Sequence, residues 1–405
     1  MKITFVCDRY WPAIGGCENA AHFLATELSL TEDVNVITAI NDDRAPSPAN
    51  ISVFAPTLSA YSDGKIKVIP LNPTVFERIL LMPALVYYIP KLRRYFYHQL
   101  LHIGLYDYKS IIKWKLIRYA RGSSIIHAYG SSHLSWAAYE AARFLRIPFV
   151  VTPLIHPGQY GTGPLDIDLY RNADAIIAGT DVEKKYYLSE GVGDAKIHVI
   201  GLADRMDTTI GKDLICSGLK KTDRLVLYIG RIEEYKGVDK LIEVARLMPE
   251  IKFAFVGPLV DRVSFSKKPS NAIYSDPLSI SSEMLAAWYH RADIVCLISK
   301  YESFGLVIME AWQFKKPVIV SDTPSLRCIV DDGINGVVVY PEVAEIKRGI
   351  EKILNDTGFA ARLGEAGYRT WQENYTPEKI KTKVLHIYRN CSPGHMKESE
   401  NHGSK

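Results

Sequence analysis

Four charged side chains in the second half of the chain stand at spacings that could do chemistry on a phosphate ester. Arg231 and Lys236 share one short stretch, GRIEEYKG. A rigid guanidinium beside a flexible ammonium makes a diphosphate clamp. Two carboxylates, Glu302 and Glu310, lie eight residues apart in KYESFGLVIMEA, one before a helical pattern and one inside it. Between them the backbone N–H groups of Ser303, Phe304, Gly305 and Leu306 are expected at a helix start, unpaired by the helix itself. Such a terminus favours negative charge and hydroxyl oxygens, and Gly305 lets a ligand come close to the backbone. Taken singly, each feature would also suit two surface cations or a strand–turn–helix with solvated glutamates.

The elements that position these residues are legible from apolar runs. Leu225–Ile229 predicts a buried strand ahead of Arg231, and Ile294–Ile298 another ahead of Glu302. Further strands are expected at Phe253–Val256, Ala272–Tyr274, Pro317–Val320 and Gly333–Val339, with helices running on to about Asn390. The first half begins alike. Ile3–Cys7 predicts a strand, Gly15-Gly16 a loop, 17–30 a helix and Val34–Thr38 a second strand. Ser123–His127 and Phe149–Thr152 follow, and Asp174–Ala178, Val182–Leu188 and Lys196–Ile200 complete the first sheet. Strands alternating with helices imply doubly wound α/β sheets, whose ligands sit past the carboxyl ends of strands. His156, in the loop LIHPGQYG beyond Phe149–Thr152, is in such a place; His127 and His133 are expected to be incidental. Gly15-Gly16 is not a G-x-G-x-x-G fingerprint, which argues against a nicotinamide dehydrogenase.

With 405 residues, two domains are expected, joined by the polar stretch from about 205 to 223. Apolar residues make up 47% and charged residues 23%, at a mean hydropathy of −0.02, which excludes a disordered or integral-membrane class. The six cysteines show no paired spacing and suit a reducing compartment. The short apolar run before Asp8 predicts a first strand and not a signal peptide, so the expected location is the cytoplasm or the cytoplasmic face of a membrane. Asp166 and Asp168 form a D-x-D that is better explained by a helix start than by a metal site. Residues 77–121 carry nine Lys or Arg against two acids, and nine aromatics. That segment's charge of +7 exceeds the +4 of the whole chain. A basic helical segment of this kind could rest on an anionic membrane surface, or simply cover the first sheet with a solvated face. Nothing resembling a nucleic-acid module accompanies it. The final residues, 392–405, are expected to be a disordered tail.

Taken in order, these motifs resemble the GT-B retaining glycosyltransferases of family four (glycosyltransferase group 1). The resemblance rests on the Glu-x7-Glu stretch, on YWPAIGGCENAAHFLATEL, on PFVVT with its following histidine, on ADAIIAGTDVEKKYYLSEGVGDAKIHVIG and on LYIGRIEEYKGVDKLIEVA. It covers nearly the whole chain except 77–121. It implies two Rossmann-like domains facing each other across a cleft. Residues 1–204 would bind acceptor and 205–375 nucleotide sugar, with a helix at 376–391 returning to the first domain. It also implies transfer of a sugar from a nucleotide diphosphate sugar, a UDP-sugar by family frequency, with no metal and no other cofactor. Gly16, Arg231 and Lys236 would hold the donor diphosphate. Glu302 and the Ser303–Leu306 backbone would hold the donor sugar, with His156 near the reacting centre. Glu310 would take the ribose and the loop around Ile280 the base. Two departures stand out: Gly201-Leu202-Ala203-Asp204 where the family has Asn-Gly-Val-Asp, and Thr323-Pro324-Ser325-Leu326-Arg327 where it has Gly-Gly-x-x-Glu. The second leaves the donor sugar open. The acceptor is a lipid, a glycan or a small molecule. A sugar phosphorylase on the same architecture, and a non-catalytic sugar-binding protein at a membrane surface, remain as alternatives.

Overall fold

The computed structural model describes residues 1–13, 15–40, 59–81, 106, 108–156, 161–214, 216, 219–260, 265, 267–276 and 281–391. Most of the basic aromatic segment, Ile280 and the tail 392–405 lie outside these. The chain forms two compact units. One comprises Met1–Gly179, Glu183–Ile200 and Ile380–Lys405; the other comprises Thr180–Val182 and Gly201–Lys379.

The first unit is built on an eight-stranded sheet: β1 (Lys2–Arg9), β2 (Asp33–Ile40), β3 (Tyr61–Asp63), β4 (Ile66–Pro70), β5 (Ile125–Tyr129), β6 (Phe149–Thr152), β7 (Ala175–Ala178) and β8 (Ile197–Val199). Their order is β3-β4-β2-β1-β5-β6-β7-β8, all parallel except the β3–β4 pair. β5, β6 and β7 are buried at every position, as expected of parallel strands covered on both faces. The residues expected to run on as sheet at 182–188 are instead helical, in Asp181–Ser189. Long polar side chains (Glu183, Lys184, Lys185) alternate there with few apolar ones, and the crossover between parallel β7 and β8 demands a helix. β3 and β4 were not anticipated, because the short alternating runs 61–63 and 66–70 lack the continuous apolar signature of the inner strands.

A side-chain cap starts one of the helices beside this sheet. Ser132 accepts from the amides of Leu134 and Ser135 at 3.1 and 3.2 Å, opening His133–Leu145. His127, in the middle of β5, is fully buried. Its Nδ1 is 2.5 Å from the Tyr388 hydroxyl and its Nε2 is 2.8 Å from Thr152 Oγ1. Burial drives its pKa down to about 3, so the ring is neutral and both nitrogens are bonded. Tyr388, itself buried, belongs to the last helix, Pro377–Cys391, and ties that helix into the core of the first unit.

The second unit holds six parallel strands: β9 (Arg224–Ile229), β10 (Ile251–Val256), β11 (Ala272–Ser275), β12 (Ile294–Leu297), β13 (Val318–Ser321) and β14 (Val337–Val339). Their order, β11-β10-β9-β12-β13-β14, is the 3-2-1-4-5-6 arrangement of a dinucleotide-binding half. The reversal of direction falls between β9 and β12. Below it, Val226, Tyr228, Phe253, Phe255, Ile294 and Cys296 join one apolar core.

Candidate active site

The β9–β12 switch point is where the sequence-predicted residues of the second unit gather. Beyond β9 the chain passes Arg231 and a single turn at Glu234–Lys236, which ends at Gly237 with φ +72°. A Cβ at Gly237 would lie 2.2 Å from the carbonyl oxygen of Ile298, at the exit of β12. Only glycine permits both that left-handed conformation and that approach. The Lys300 amide donates to the Tyr235 carbonyl at 2.7 Å, so the two strand exits are stitched together by backbone.

The consequence is an ion pair. Lys236 Nζ is 2.9 Å from Glu302 Oε2, with the two side chains only 13% and 10% exposed. Ser299 Oγ donates to the same carboxylate oxygen at 3.2 Å. The ammonium also stands over the Tyr235 ring, 5.1 Å from its centroid. Sequence reading gave Lys236 to phosphate and Glu302 to sugar; the fold holds them as one unit. Arg231 is in the same loop but turned outward, 52% exposed, with Nε 3.1 Å from Glu233 Oε1 and an NH2 group donating to the Tyr235 hydroxyl.

The helix after Glu302 begins later than the sequence suggested. It spans Leu306–Gln313, with Gly305 as its N-cap at φ +86°. Ser303 and Phe304 therefore precede it, and the helix-start amides begin at Leu306. The left-handed Gly305 delays the first helical residue, and the Phe304 ring is drawn into the interior against Tyr375, centroids 5.5 Å apart.

Glu310, one turn into this helix, is no open carboxylate. It is 6% exposed; the Tyr289 hydroxyl donates to its Oε2, and it is hydrogen-bonded to Asp204. Burial and the Asp204 charge push its pKa up to about 8. Gln313 in the same helix donates to the Asp204 carbonyl and accepts from the Met206 amide, at 3.2 and 3.0 Å. Tyr289, Asp204, Tyr235 and Ser299 were not singled out by the sequence. Asp204 carried a signal, since it closes the stretch that stands for Asn-Gly-Val-Asp; Tyr289 carried none.

In the first unit, Gly16 opens the helix Gly16–Ser29 beside the β1–β5 switch point, and a Cβ there would meet nothing within 4 Å. Glu18 stands in the first turn, 3.4 Å from Arg9 Nε. His156 is half-buried, four residues beyond β6. Asp166 caps its own helix, accepting from the Gly163 amide at 2.9 Å and from the Ser131 hydroxyl. Among the described residues no group of three or more His, Cys, Asp or Glu is placed to hold a metal ion. Nor, among them, is any helix long and apolar enough to cross a membrane.

This arrangement has relatives. The family model described as glycosyl transferases group 1 matches residues 215–370, and that of a glycosyl transferase 4-like domain matches 15–203. An uncharacterised glycosyltransferase of Methanocaldococcus jannaschii is 27% identical over 187 residues, covering 42% of this chain and 46% of the relative. The chain spans about half the length of the first curated relatives it matches. Among solved structures, sucrose-phosphate synthase from Thermosynechococcus elongatus has a TM-score of 0.72 at 19% identity, covering 96% of this chain and 98% of that one. HepE of Anabaena, in complex with UDP-glucose, has a TM-score of 0.72 at 16% identity, covering 96% and 100%. The fold is thus that of the GT-B enzymes, and two adjoining family models account for most of the sequence. The chain belongs to the group 1 glycosyltransferases.

Proposed function

We propose that the protein transfers a sugar from a UDP-sugar to an acceptor hydroxyl, with retention at the anomeric carbon. The observation that carries this reading is the Lys236–Glu302 pair at the β9–β12 switch point, in a member of the group 1 family. Breaking the bond between sugar and diphosphate loads negative charge on the leaving oxygens. Lys236, Arg231 and the helix-start amides from Leu306 would stabilise that charge, assisted by the amides at Gly16. Lys236 would then be shared between Glu302 and the diphosphate. Glu302 and the Ser303–Leu306 backbone would hold the donor sugar, Glu310 the ribose, and His156 the sugar near the reacting centre. The leaving phosphate would accept the acceptor's proton, and with these cations and amides on the diphosphate the scheme requires no resident metal or cofactor. A uridine donor is favoured because the structural relative HepE carries UDP-glucose.

The acceptor in this proposal is a lipid or lipid-linked glycan at an anionic membrane surface. Its support lies on the first unit, where Val75, Phe76, Ile79 and Leu80 of the helix Val75–Leu81 are all exposed. Trp114 and Phe144, also exposed, pack edge to face at 5.4 Å, with Lys113 beside Trp114. Aromatic and aliphatic groups next to lysine suit the interface of a bilayer.

The test is a thermal-shift panel of UDP, GDP, ADP and inorganic phosphate. A ligand at 100 times its Kd that binds only the folded protein stabilises it by about 2.7 kcal/mol. UDP alone should raise Tm. A response to phosphate alone would favour a phosphorylase, and no response to any nucleotide would remove the transferase reading. Flotation with anionic liposomes at low salt tests the membrane part; protein left in the soluble fraction would contradict it.

A further inference from the structure

Glu183 is a carboxylate with almost no water around it, 1% exposed, in the helix Asp181–Ser189 of the β7–β8 crossover. Taking a carboxylate out of water costs several kcal/mol unless hydrogen bonds replace the hydration. Its Oε2 accepts from the Gly179 amide at 2.6 Å, just ahead of its own helix. That half resembles an ordinary helix-start contact. The other oxygen does something different. Glu183 Oε1 accepts from the Ile155 amide at 3.0 Å, reaching across to the loop that leaves β6.

Three further observations concern that same loop. Leu154 adopts a left-handed backbone, φ +53°, which a branched side chain resists. Ile155 is completely buried, so its amide has no access to water. Past the loop, the Gly161 carbonyl is held by the buried Tyr170 hydroxyl at 2.9 Å. The backbone is therefore bent at Leu154 and gripped at Ile155, one residue before His156. A strained conformation persists where its surroundings over-determine it, and such sites cluster at functional positions.

We infer that Glu183 is a positioning residue for His156: its carboxylate fixes the Ile155 peptide and so sets where the histidine side chain stands relative to the donor sugar. This rests on the proposed role of His156. A misplacement of about 1 Å can cost up to two orders of magnitude in rate, so the effect should appear in turnover and not in donor binding.

The experiment uses the full-length protein and UDP-glucose, reading hydrolysis or transfer. Glu183→Gln leaves one of the two amides facing an NH2 group. It should lower kcat about 10- to 100-fold, while KM for UDP-glucose stays within about 2-fold. His156→Ala should lose turnover, and adding Glu183→Gln to it should cost nothing more, because the two act as a unit. If His156→Ala keeps only residual turnover and adding Glu183→Gln lowers it further, the positioning role falls and the His156 assignment stands. If His156→Ala turns over normally, the underlying reading falls and this inference with it. Amide exchange on the wild-type protein supplies a check that needs no variant. The Ile155 amide should exchange as slowly as those of β6, and fast exchange there would exclude the carboxylate contact.

Discussion

Glu310→Gln should make the second unit insensitive to alkaline pH, and the structure supplies the magnitude. The buried Glu310 carboxyl accepts from Tyr289 and is hydrogen-bonded to Asp204. Two carboxyls in that relation share a proton. Glu310, raised from 4.5 to about 8, is the group that keeps it. Between those values the folded protein holds a proton that the unfolded chain releases. The associated stability is fully present below about pH 4.5 and is lost as pH rises through about 8. At about 1.4 kcal/mol for each pH unit between the two values, ionisation costs up to about 5 kcal/mol. Glutamine reproduces the protonated acid: its oxygen accepts from Tyr289 and its NH2 donates to Asp204. The assay is urea unfolding from pH 5 to 9.5, followed by hydrogen exchange of β9 and β12 amides so that the second unit alone is read. Wild type should lose several kcal/mol across that range relative to the variant. Parallel curves for the two proteins would refute the shared proton.

Two further perturbations probe the switch point. Lys236→Ala should reduce kcat/KM by about two orders of magnitude. It should also cost roughly 3 kcal/mol of stability, by leaving Glu302 as an uncompensated, nearly buried charge. The double variant Lys236→Met, Glu302→Gln should regain stability without activity, and urea melts with steady-state kinetics separate the two; full activity in the folded single variant would exclude the clamp. Gly237→Ala places a Cβ 2.2 Å from the Ile298 carbonyl at φ +72°, and should destabilise the second unit by about 2–4 kcal/mol. A variant with an unchanged urea midpoint would show that the two loops are not in fact locked together.

Most inner strands were visible in the sequence because a parallel strand buried on both faces leaves a continuous apolar run, as in β5, β9 and β12. What such runs do not carry is partnership. Nothing in the spacing of Lys236 and Glu302 said that the two would pair; that follows from β9 lying next to β12, which is topology. The helix start was placed too early, because a left-handed Gly305 defers the first helical residue and glycine in a sequence does not announce its φ. Tyr289 was silent for a related reason. It looks like any apolar-face aromatic of its helix, and its hydroxyl acquires meaning only from the carboxylate that folding brings to it. Glu183 stood inside a stretch that carried the family resemblance and Asp204 closed one that departs from it, yet both roles depend on carboxylates reaching other elements. The β3–β4 hairpin escaped notice because its strands are short and alternate, a pattern that edge strands share with loops.

The hydrogen bond between His127 and Tyr388 has a consequence for the order of events during synthesis. The first unit needs its own last helix to fill the space beside β5, but that helix emerges only after the whole of Gly201–Lys379. At 5–20 residues per second the ribosome spends roughly 10–35 s on those intervening residues. Throughout that interval the older half of the chain waits with an imidazole nitrogen and an apolar strip uncovered. The younger half, complete once Gly201–Lys379 has emerged, can finish first. Of the two sheets, the one made first is thus sealed last, and until then its open flank is the surface a chaperone would recognise.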